Sequence, residues 1–275
     1  MSTAQTPWYG IASSVGLSAA EAYEQYLAPA IFAPWAQDLV EFAAPVIGER
    51  VLDIACGTGV VARTVGSHIG ATGKVVGLDI NAGMLEVARS VPWTAPAQVE
   101  WREANALELP FDDGSFDLVL CQQGLQFFPN RLAALLQMRR VVAPGGRIAV
   151  SVWRSIHYSP GFESLHNALT HHVGPDAGIL GPFALSDVDE LRRLVGEAGF
   201  RDINIRPAAK LLEFPSPEEF VWRYVAATPL ATVVAHIGDS ARAALVNDVA
   251  SDLKETVTGS GLVFPIESHL LAAYV

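Results

Sequence analysis

Short apolar runs alternate with segments of helical spacing through most of the chain. A continuous apolar run is typical of a strand that is covered on both faces, whereas apolar residues three and four positions apart predict a helix. The pattern predicts strands at 51–55, 74–80, 99–104, 116–123 and 147–153, helices at 60–69, 81–90 and 131–142 between them, and two closing strands at 203–209 and 269–275.

Strands that alternate with helices predict an open parallel sheet with helices on both faces, so the expected fold class is α/β and doubly wound. Residues 18–44 are helical in pattern, and Pro29 and Pro34 predict two N-terminal helices there rather than one. Ser186 is expected to cap a later helix, with Asp189 as its capping-box partner.

We expect a single domain over residues 1–275, with the ligand-binding core in residues 45–153. Two segments, 154–185 and 215–262, do not fit the alternation of strands and helices. We interpret both as insertions on the substrate side of the core. The second would form a helical cap before the last strand.

Composition narrows the functional classes. Hydrophobic residues make up 51% of the chain and charged residues 17%, which excludes a disordered protein. Apolar runs are too short for a helix that spans a membrane, and the formal charge of -11 makes nucleic acid an unfavourable partner. The two cysteines and the absence of Lys and Arg before Arg50 predict a cytoplasmic protein without a secretory or mitochondrial leader.

The first predicted strand ends in a glycine loop, Asp-Ile-Ala-Cys-Gly-Thr-Gly, that begins at Asp53. In an open α/β sheet, ligands bind outside the carboxyl ends of the strands, where a helix N-terminus suits an anionic group. Val60 and Val61 follow the loop where a phosphate-binding P-loop needs Lys and Ser or Thr, which excludes a P-loop. A dinucleotide loop is disfavoured but stays open, because Ala62 replaces its third glycine.

Two acids restrict the ligand further. Asp53, just before the loop, would face the pyrophosphate of NAD, whereas a ligand with an ammonium group would be stabilised there. Asp79 ends the second strand 26 residues later, where a carboxylate can accept hydrogen bonds from both hydroxyls of a ribose. The alternative for Asp79 is the N-cap of the helix that begins near Asn81.

These segments resemble, in order and spacing, the class I S-adenosylmethionine-dependent methyltransferases, and among them the group of the ubiquinone/menaquinone-biosynthesis C-methyltransferases. The resemblance covers residues 45–153 and rests on VLDIACGTG, GLDI, NALELPFDDGSFDLVLCQQGLQFF and RVVAPGGRIAVSVW. It implies a Rossmann-like sheet of seven strands, mostly parallel with an antiparallel last strand. It also implies S-adenosylmethionine as the cofactor and S-adenosylhomocysteine as the product.

The resemblance implies roles for the residues that match the family's motifs. Asp53 and the loop backbone would hold the methionine part of the cofactor, and Asp79 would bind the ribose. Asn105 would meet the adenine edge, in a position where the family usually has Asp. The residues expected to contact the cofactor are Tyr26, Asp53, Ala55, Cys56, Gly57, Thr58, Gly59, Asp79, Ile80, Met84, Asn105, Ala106, Cys121, Gln122 and Gln126.

No residue is assigned as catalytic, because methyl transfer needs a general base only if the nucleophile must lose a proton. His157 is the candidate base, and a surface histidine is the alternative. No metal is expected, since the adjacent pair His171 and His172 lacks a third ligand nearby. The residues expected to contact the substrate are His157, Tyr158, His171, Trp222 and Tyr224, and ordinary helix packing is the alternative for the last two.

The sequence thus predicts a methyltransferase that acts by direct displacement on carbon or oxygen of a small, fairly apolar acceptor, in a biosynthetic role. Two alternatives stay open. The first is an NAD(P)-dependent oxidoreductase, which Asp53 and Ala62 disfavour. The second is a module that binds S-adenosylmethionine without catalysis. The expected partner is a small molecule, with neither nucleic acid nor a membrane-spanning segment, and a homodimer is compatible with the sequence.

Overall fold

The computed structural model describes residues 17–259 and 261–275. Residues 1–16 and 260 of the predicted domain lie outside the described residues. The chain divides into two compact units. The helical unit contains Ser159–Ile179, Leu211–Ile266 and the described part of Met1–Ile31, and the sheet unit contains Phe32–Tyr158, Leu180–Lys210 and Glu267–Val275. The single-domain boundaries stay a prediction.

Across the described residues, one sheet contains β1 (Arg50–Ile54), β2 (Lys74–Asp79), β3 (Gln98–Glu103), β4 (Phe116–Gln122), β5 (Val142–Trp153), β6 (Arg201–Phe214), β7 (Val257–Thr258) and β8 (Gly261–Tyr274). The strand order is β3-β2-β1-β4-β5-β8-β6, and the short β7 pairs with β8. Strands β1 to β5 are parallel to one another, and β8 is antiparallel to β5. The predicted α/β fold is confirmed. The strand order reverses between β1 and β4, which is where open α/β sheets bind ligands.

The helices are α1 (Ala19–Ala22), α2 (Ala33–Ala43), α3 (Val60–Gly66), α4 (Ala82–Ser90), α5 (Arg131–Val141), α6 (Pro160–His172), α7 (Val188–Glu197), α8 (Pro217–Ala226), α9 (Leu230–Val234) and α10 (Asp239–Asp252). Helix α2 packs against α3 and β5, and α5 packs against α7. Single 3-10 turns lie at Leu125–Phe127, Ile156–Tyr158, Pro175–Ala177, Gly181–Phe183 and Lys254–Thr256.

The central strands have a core on each face, because successive side chains of a strand point to opposite sides. Leu52, Val119 and Ile148 belong to a buried cluster that also contains the apolar residues of α5 and α7. Asp53 and Leu120, which are paired in register, point to the other face. The polar side chain of Asp53 is therefore buried on this second face of the sheet.

The two N-terminal helices, α1 and α2, are joined by a helical segment with wider winding. A π-helix over Tyr23–Phe32 connects α1 to α2 and contains Pro29. Pro34 lies in the first turn of α2, which follows the π-helix directly. The expectation of two separate helices is therefore wrong. Pro29 is accommodated in the wider winding of the π-helix and does not break the helical segment.

The cap of α7 differs from the sequence expectation. The N-cap is Asp187, and its carboxylate accepts hydrogen bonds from the backbone N–H of Asp189 at 2.8 Å and of Glu190 at 3.4 Å. A carboxylate in this position is stabilised by the helix dipole as well. The carbonyl of Ser186, the residue expected as the cap, instead accepts a hydrogen bond from Nε2 of His269 at 3.1 Å.

An aromatic cluster forms the core of the helical unit. Phe220 lies 5.4 Å from Phe162, 5.0 Å from Phe214 and 5.0 Å from Phe264, measured between ring centroids. A Cβ at Gly161 would overlap the ring of Phe264, so glycine is required there. In the described part of the chain, no helix has both the length and the apolar character needed to cross a bilayer.

A buried arginine fastens the end of α2 to the sheet. Arg147 on β5 donates hydrogen bonds to the carbonyls of Ala43 at 2.6 Å and Ala44 at 2.7 Å, and its guanidinium pairs with Glu49 at 2.8 Å. Ala44 has a left-handed φ of 48°, a strained backbone conformation that these contacts help to maintain.

We expect Arg147→Met to lower the free energy of unfolding by about 3 kcal/mol, because the change leaves Glu49 and two carbonyls without their partner. Urea denaturation followed by circular dichroism measures this. The matched control is Arg193→Met, since Arg193 pairs with Glu197 on the exposed face of α7 and should cost less than about 1 kcal/mol. Equal losses in the two variants would contradict the role given to Arg147.

Candidate functional site

The glycine loop turns sharply where β1 ends. Ala55, Gly57 and Gly59 all have positive φ, at 55°, 54° and 90°. The N–H of Cys56 donates to the carbonyl of Leu78 at 3.0 Å, and the N–H of Gly59 donates to the carbonyl of Cys56 at 2.8 Å. Left-handed backbone favours glycine, so the two glycines allow the turn while the β2 carbonyl holds it in place.

A tryptophan from β3 packs closely on the same loop. A Cβ at Gly59 or at Gly77 would overlap the indole ring of Trp101. The same ring lies edge-on to Trp93, with ring centroids 6.2 Å apart. Gly59 is therefore required both by its backbone conformation and by the space that Trp101 occupies.

The Asp53 carboxyl group is buried at the end of β1. Its Oδ2 accepts the N–H of Ala62, in the first turn of α3, at 3.0 Å. Its Oδ1 is also buried and has no hydrogen-bond partner among the described residues. Burial, more than any other cause, raises the pKa of Asp53 to about 8, and the negative charge of Asp79 adds to this effect.

Asp79 links the loop to the end of β2. Oδ2 accepts the N–H of Gly57 at 2.8 Å, and Oδ1 accepts the N–H of Asn81 at 2.9 Å. The N-cap of α4 is Asn81, whose side chain accepts the N–H of Gly83 at 3.0 Å. The alternative role of Asp79 as the N-cap is therefore wrong. Each carboxylate oxygen keeps a further lone pair for a ligand.

The residues expected around an adenine follow β2 and β3. Ile80 is 69% exposed, which is unusual for a large apolar side chain directly after a buried strand. Met84 lies in the first turn of α4 and is partly buried. Asn105 is exposed, with its Oδ1 accepting the N–H of Leu107 at 2.9 Å, and Ala106 is buried beside it. The structure thus brings these side chains to the carboxyl edge that also carries Asp79.

The end of β4 carries buried polar and sulfur side chains. Gln122 donates from Nε2 to the carbonyl of Phe32 at 3.0 Å, which leaves its buried Oε1 without a partner among the described residues. Cys121 lies next to Ala55, since a Cβ at Gly124 would meet both. Burial raises the pKa of Cys121 to about 12 and raises that of Cys56 as well.

Further buried polar atoms lie at the same edge. Thr58 Oγ1 and Gln126 Oε1 are buried and have no hydrogen-bond partner in residues 17–259 and 261–275. Thr58 also anchors α3, because its carbonyl accepts a hydrogen bond from Arg63 at 2.6 Å. The expected cofactor residues of the sheet unit therefore share one edge of the sheet, and several of them present acceptor atoms there.

Three polar residues near this edge were not identified from the sequence. Ser151 is fully buried on β5 opposite Gln122 in register, and its Oγ has no partner within the described chain. Ser268 and His269 are buried on β8. Burial, the largest cause, lowers the pKa of His269, whose Nδ1 has no described partner. The sequence signal that could have identified these three residues is a polar residue inside an otherwise apolar strand.

The expected substrate residues are divided between the two units. His157 and Tyr158 are exposed in the 3-10 turn after β5, and the guanidinium of Arg154 lies 3.8 Å from the Tyr158 ring centroid. His171 is exposed at the end of α6, where its ring meets that of His172 at 4.6 Å. In the described residues, no group of three or more His, Cys, Asp or Glu side chains could hold a metal ion.

The remaining expected residues belong to the helical unit. Tyr224 packs on Phe162 with ring centroids 5.3 Å apart, and burial raises its pKa. Trp222 is buried on the same helix, α8. Tyr26 lies in the π-helix, with the Arg223 guanidinium 5.6 Å from its ring centroid. Contacts of these residues with cofactor or substrate stay predictions.

Comparison with known proteins identifies the family. The model of the ubiE/COQ5 methyltransferase family matches residues 18–207. A demethylmenaquinone methyltransferase of Staphylococcus aureus (strain JH9) is 33% identical over 172 residues, which cover 58% of this chain and 70% of that protein.

Solved structures show the same fold. A Bacillus halodurans C-125 protein described as a methyltransferase superimposes with a TM-score of 0.58 and 22% identity, covering 87% of this chain and 97% of that one. Phosphoethanolamine N-methyltransferase 2 of Haemonchus contortus, solved with S-adenosyl-L-methionine, gives a TM-score of 0.58 and 19% identity, covering 100% of this chain and 61% of that one.

The family match spans the glycine loop, both acids and the end of β4, so it includes the edge at which the buried acceptor atoms lie. The oxidoreductase alternative gains no support. The chain belongs to the ubiE/COQ5 methyltransferase family and is an S-adenosylmethionine-dependent methyltransferase.

Proposed function

We propose that the chain transfers a methyl group by direct displacement from S-adenosylmethionine to a small, fairly apolar acceptor with a quinone-like ring. The name of the Staphylococcus aureus relative supports a ring of this type. A ring carbon becomes a good nucleophile when the ring is reduced and carries hydroxyl groups, so the reduced form would be the acceptor. Carbon is then the preferred methylation site and a ring oxygen the second.

The arrangement of buried acceptor atoms is the observation that carries the proposal. Asp53 Oδ1 and Gln122 Oε1 are buried without partners among the described residues, while the second polar atom of each side chain is already bonded. Gln122 Oε1 therefore requires a hydrogen-bond donor from the ligand, and a positive charge beside Asp53 favours the ionised carboxylate, whose Oδ1 then accepts. The ammonium group of S-adenosylmethionine meets both demands, whereas a pyrophosphate meets neither.

Other residues suit the remaining parts of the ligand. The Asp79 carboxylate, held by two backbone amides, is oriented to accept hydrogen bonds from ribose hydroxyls. The exposed side chain of Ile80 and the partly buried Met84 would pack on the adenine. Asn105 would accept from the adenine amino group without a charge, although its Oδ1 already accepts one backbone N–H.

When bound, S-adenosylmethionine supplies a methyl group on a positively charged sulfur. The chain then has to align the acceptor and exclude water, which can contribute about 7–11 kcal/mol to a displacement. Cys56 and Cys121 would not compete as nucleophiles, because their raised pKa values keep the thiols neutral near pH 7. Direct transfer to the acceptor is therefore favoured over a covalent intermediate on the protein.

We expect Asp79→Ala to weaken binding of S-adenosylhomocysteine by at least about tenfold, because hydrogen bonds to a charged acceptor are lost. Titration calorimetry measures the affinity, with NAD as a competitor that should not displace the ligand. Asp176→Ala, which removes an exposed carboxylate of the helical unit, is the control and should bind as the wild type does. Unchanged affinity in Asp79→Ala would exclude the ribose role.

We expect binding of S-adenosylhomocysteine to tighten with pH between about 5.5 and 7.5, by up to about tenfold per unit. Because the pKa of Asp53 is raised to about 8, its carboxyl group is largely protonated in this range, and an ammonium group favours the charged form. Binding therefore releases a proton from Asp53. A higher pH favours this release, so the affinity for S-adenosylhomocysteine rises with pH. Asp53→Asn should bind weakly at every pH, and a flat profile for the wild type would contradict the assignment.

The acceptor class is tested with a labelled methyl donor and 1,4-dihydroxynaphthalene under anaerobic conditions. We expect label in the product, on a ring carbon by mass spectrometry, and none with Asp53→Asn. A wild type that binds S-adenosylhomocysteine but transfers no label to this ring, while it labels an unrelated amine or acid, would refute the proposed acceptor.

A further inference from the structure

A chain of buried polar side chains connects β8 to the turn after β4. Ser268 Oγ lies 2.8 Å from the carbonyl oxygen of Val152. Gln123 Nε2 lies 3.0 Å from Ser268 Oγ, and Gln126 Nε2 lies 3.3 Å from Gln123 Oε1. Gln123, Gln126 and Ser268 are all more than nine-tenths buried. The family match ends at residue 207, so Ser268 lies beyond it.

The chemistry of this chain fixes the direction of every hydrogen bond. A carbonyl oxygen only accepts, so the Ser268 hydroxyl must donate to the carbonyl of Val152 at 2.8 Å or to that of His269 at 3.3 Å. It can therefore offer only lone pairs to Gln123. The NH₂ group of Gln123 must therefore face Ser268, and its Oε1 must face Gln126. It follows that the NH₂ group of Gln126 faces Gln123.

The one remaining polar atom of this chain is Gln126 Oε1. It is buried and has no hydrogen-bond partner among the described residues. The carbonyl of the same residue accepts a hydrogen bond from Arg131 at 3.3 Å, which helps to hold the 3-10 turn Leu125–Phe127. Since the amide is oriented from the far end of the chain, its NH₂ group faces Gln123 and its Oε1 is the atom left to accept from a ligand. A methyl acceptor without a hydrogen-bond donor would leave this oxygen unsatisfied.

We propose that Gln126, which the sequence analysis expected to contact the cofactor, instead selects methyl acceptors that carry a hydroxyl group, and that Ser268 is a positioning residue that sets the orientation of the Gln126 amide through Gln123. This inference rests on the proposed transfer to a ring-shaped acceptor. It adds the atom that recognises the acceptor, and it assigns a role to the C-terminal strand.

Two naphthalenes that differ in one donor test this selection. The affinities of 1-naphthol and 1-methoxynaphthalene are measured by calorimetry on protein saturated with S-adenosylhomocysteine. We expect the wild type to prefer 1-naphthol by at least about tenfold, the effect of one satisfied hydrogen bond. Gln126→Met, which keeps the side-chain length, should reduce this preference to less than about threefold.

Variants of Ser268 distinguish a role in orienting the Gln126 amide from a purely structural role. In Ser268→Ala the two amides lose their anchor and can turn, so that the NH₂ group of Gln126 can meet the ether oxygen of 1-methoxynaphthalene. The preference for 1-naphthol should therefore fall at least about threefold, while 1-methoxynaphthalene binds at least as tightly as before. Ser268→Thr, which restores a hydroxyl, should recover the preference. A structural role alone would weaken both naphthalenes equally in Ser268→Ala, and that result would overturn the proposal.

The outcomes distinguish this inference from the proposed function. A wild type that binds both naphthalenes equally, or binds neither, overturns the role of Gln126. A wild type that prefers 1-naphthol, with the preference lost in Ser268→Ala and recovered in Ser268→Thr, supports the inference even if 1,4-dihydroxynaphthalene receives no label. In that case the proposed acceptor class fails and the hydroxyl selection remains.

Discussion

The buried carboxyl group of Asp53 is the constraint around which the ligand edge is arranged. Taking a carboxylate out of water costs several kcal/mol, and a single backbone hydrogen bond from Ala62 does not offset that cost. The free protein therefore keeps a proton on Asp53, as its raised pKa requires. The turn through Ala55 and Gly59 brings the first turn of α3 to this carboxyl group, while Trp101 fills the space behind the loop.

This arrangement depends on the sheet on which it lies. The reversal of strand order between β1 and β4 brings Asp53 and Gln122 to the same edge, although the two residues are far apart in sequence. Arg147 attaches the end of α2 to β5, and Gln122 contacts the Phe32 carbonyl just before α2. The same helix is thus held at its two ends by side chains from neighbouring strands.

The sequence predicted β1 to β4, the glycine loop and both acids, because apolar runs and glycine spacing are local signals. It did not predict β7, and it placed the starts of β5 and β8 at 147 and 269, whereas these strands begin at Val142 and Gly261. It did not predict the Asp187 cap, since Ser186 and Asp187 are equally good caps and the His269 contact comes from a distant strand. Nor did it predict the Gln123–Ser268 contact, which joins residues 145 positions apart. The winding of the π-helix around Pro29 likewise has no local signature that separates it from a kink.

Trp101 gives the protein an internal optical probe. Its indole ring touches the backbone of Gly59 in the loop and lies edge-on to Trp93, so small shifts of the loop alter the surroundings of a fluorophore. The chain has 6 tryptophans, and the difference between the wild type and Trp101→Phe isolates this one. A change in the loop when a ligand binds would therefore alter the emission of Trp101, without any label attached to the protein or the ligand.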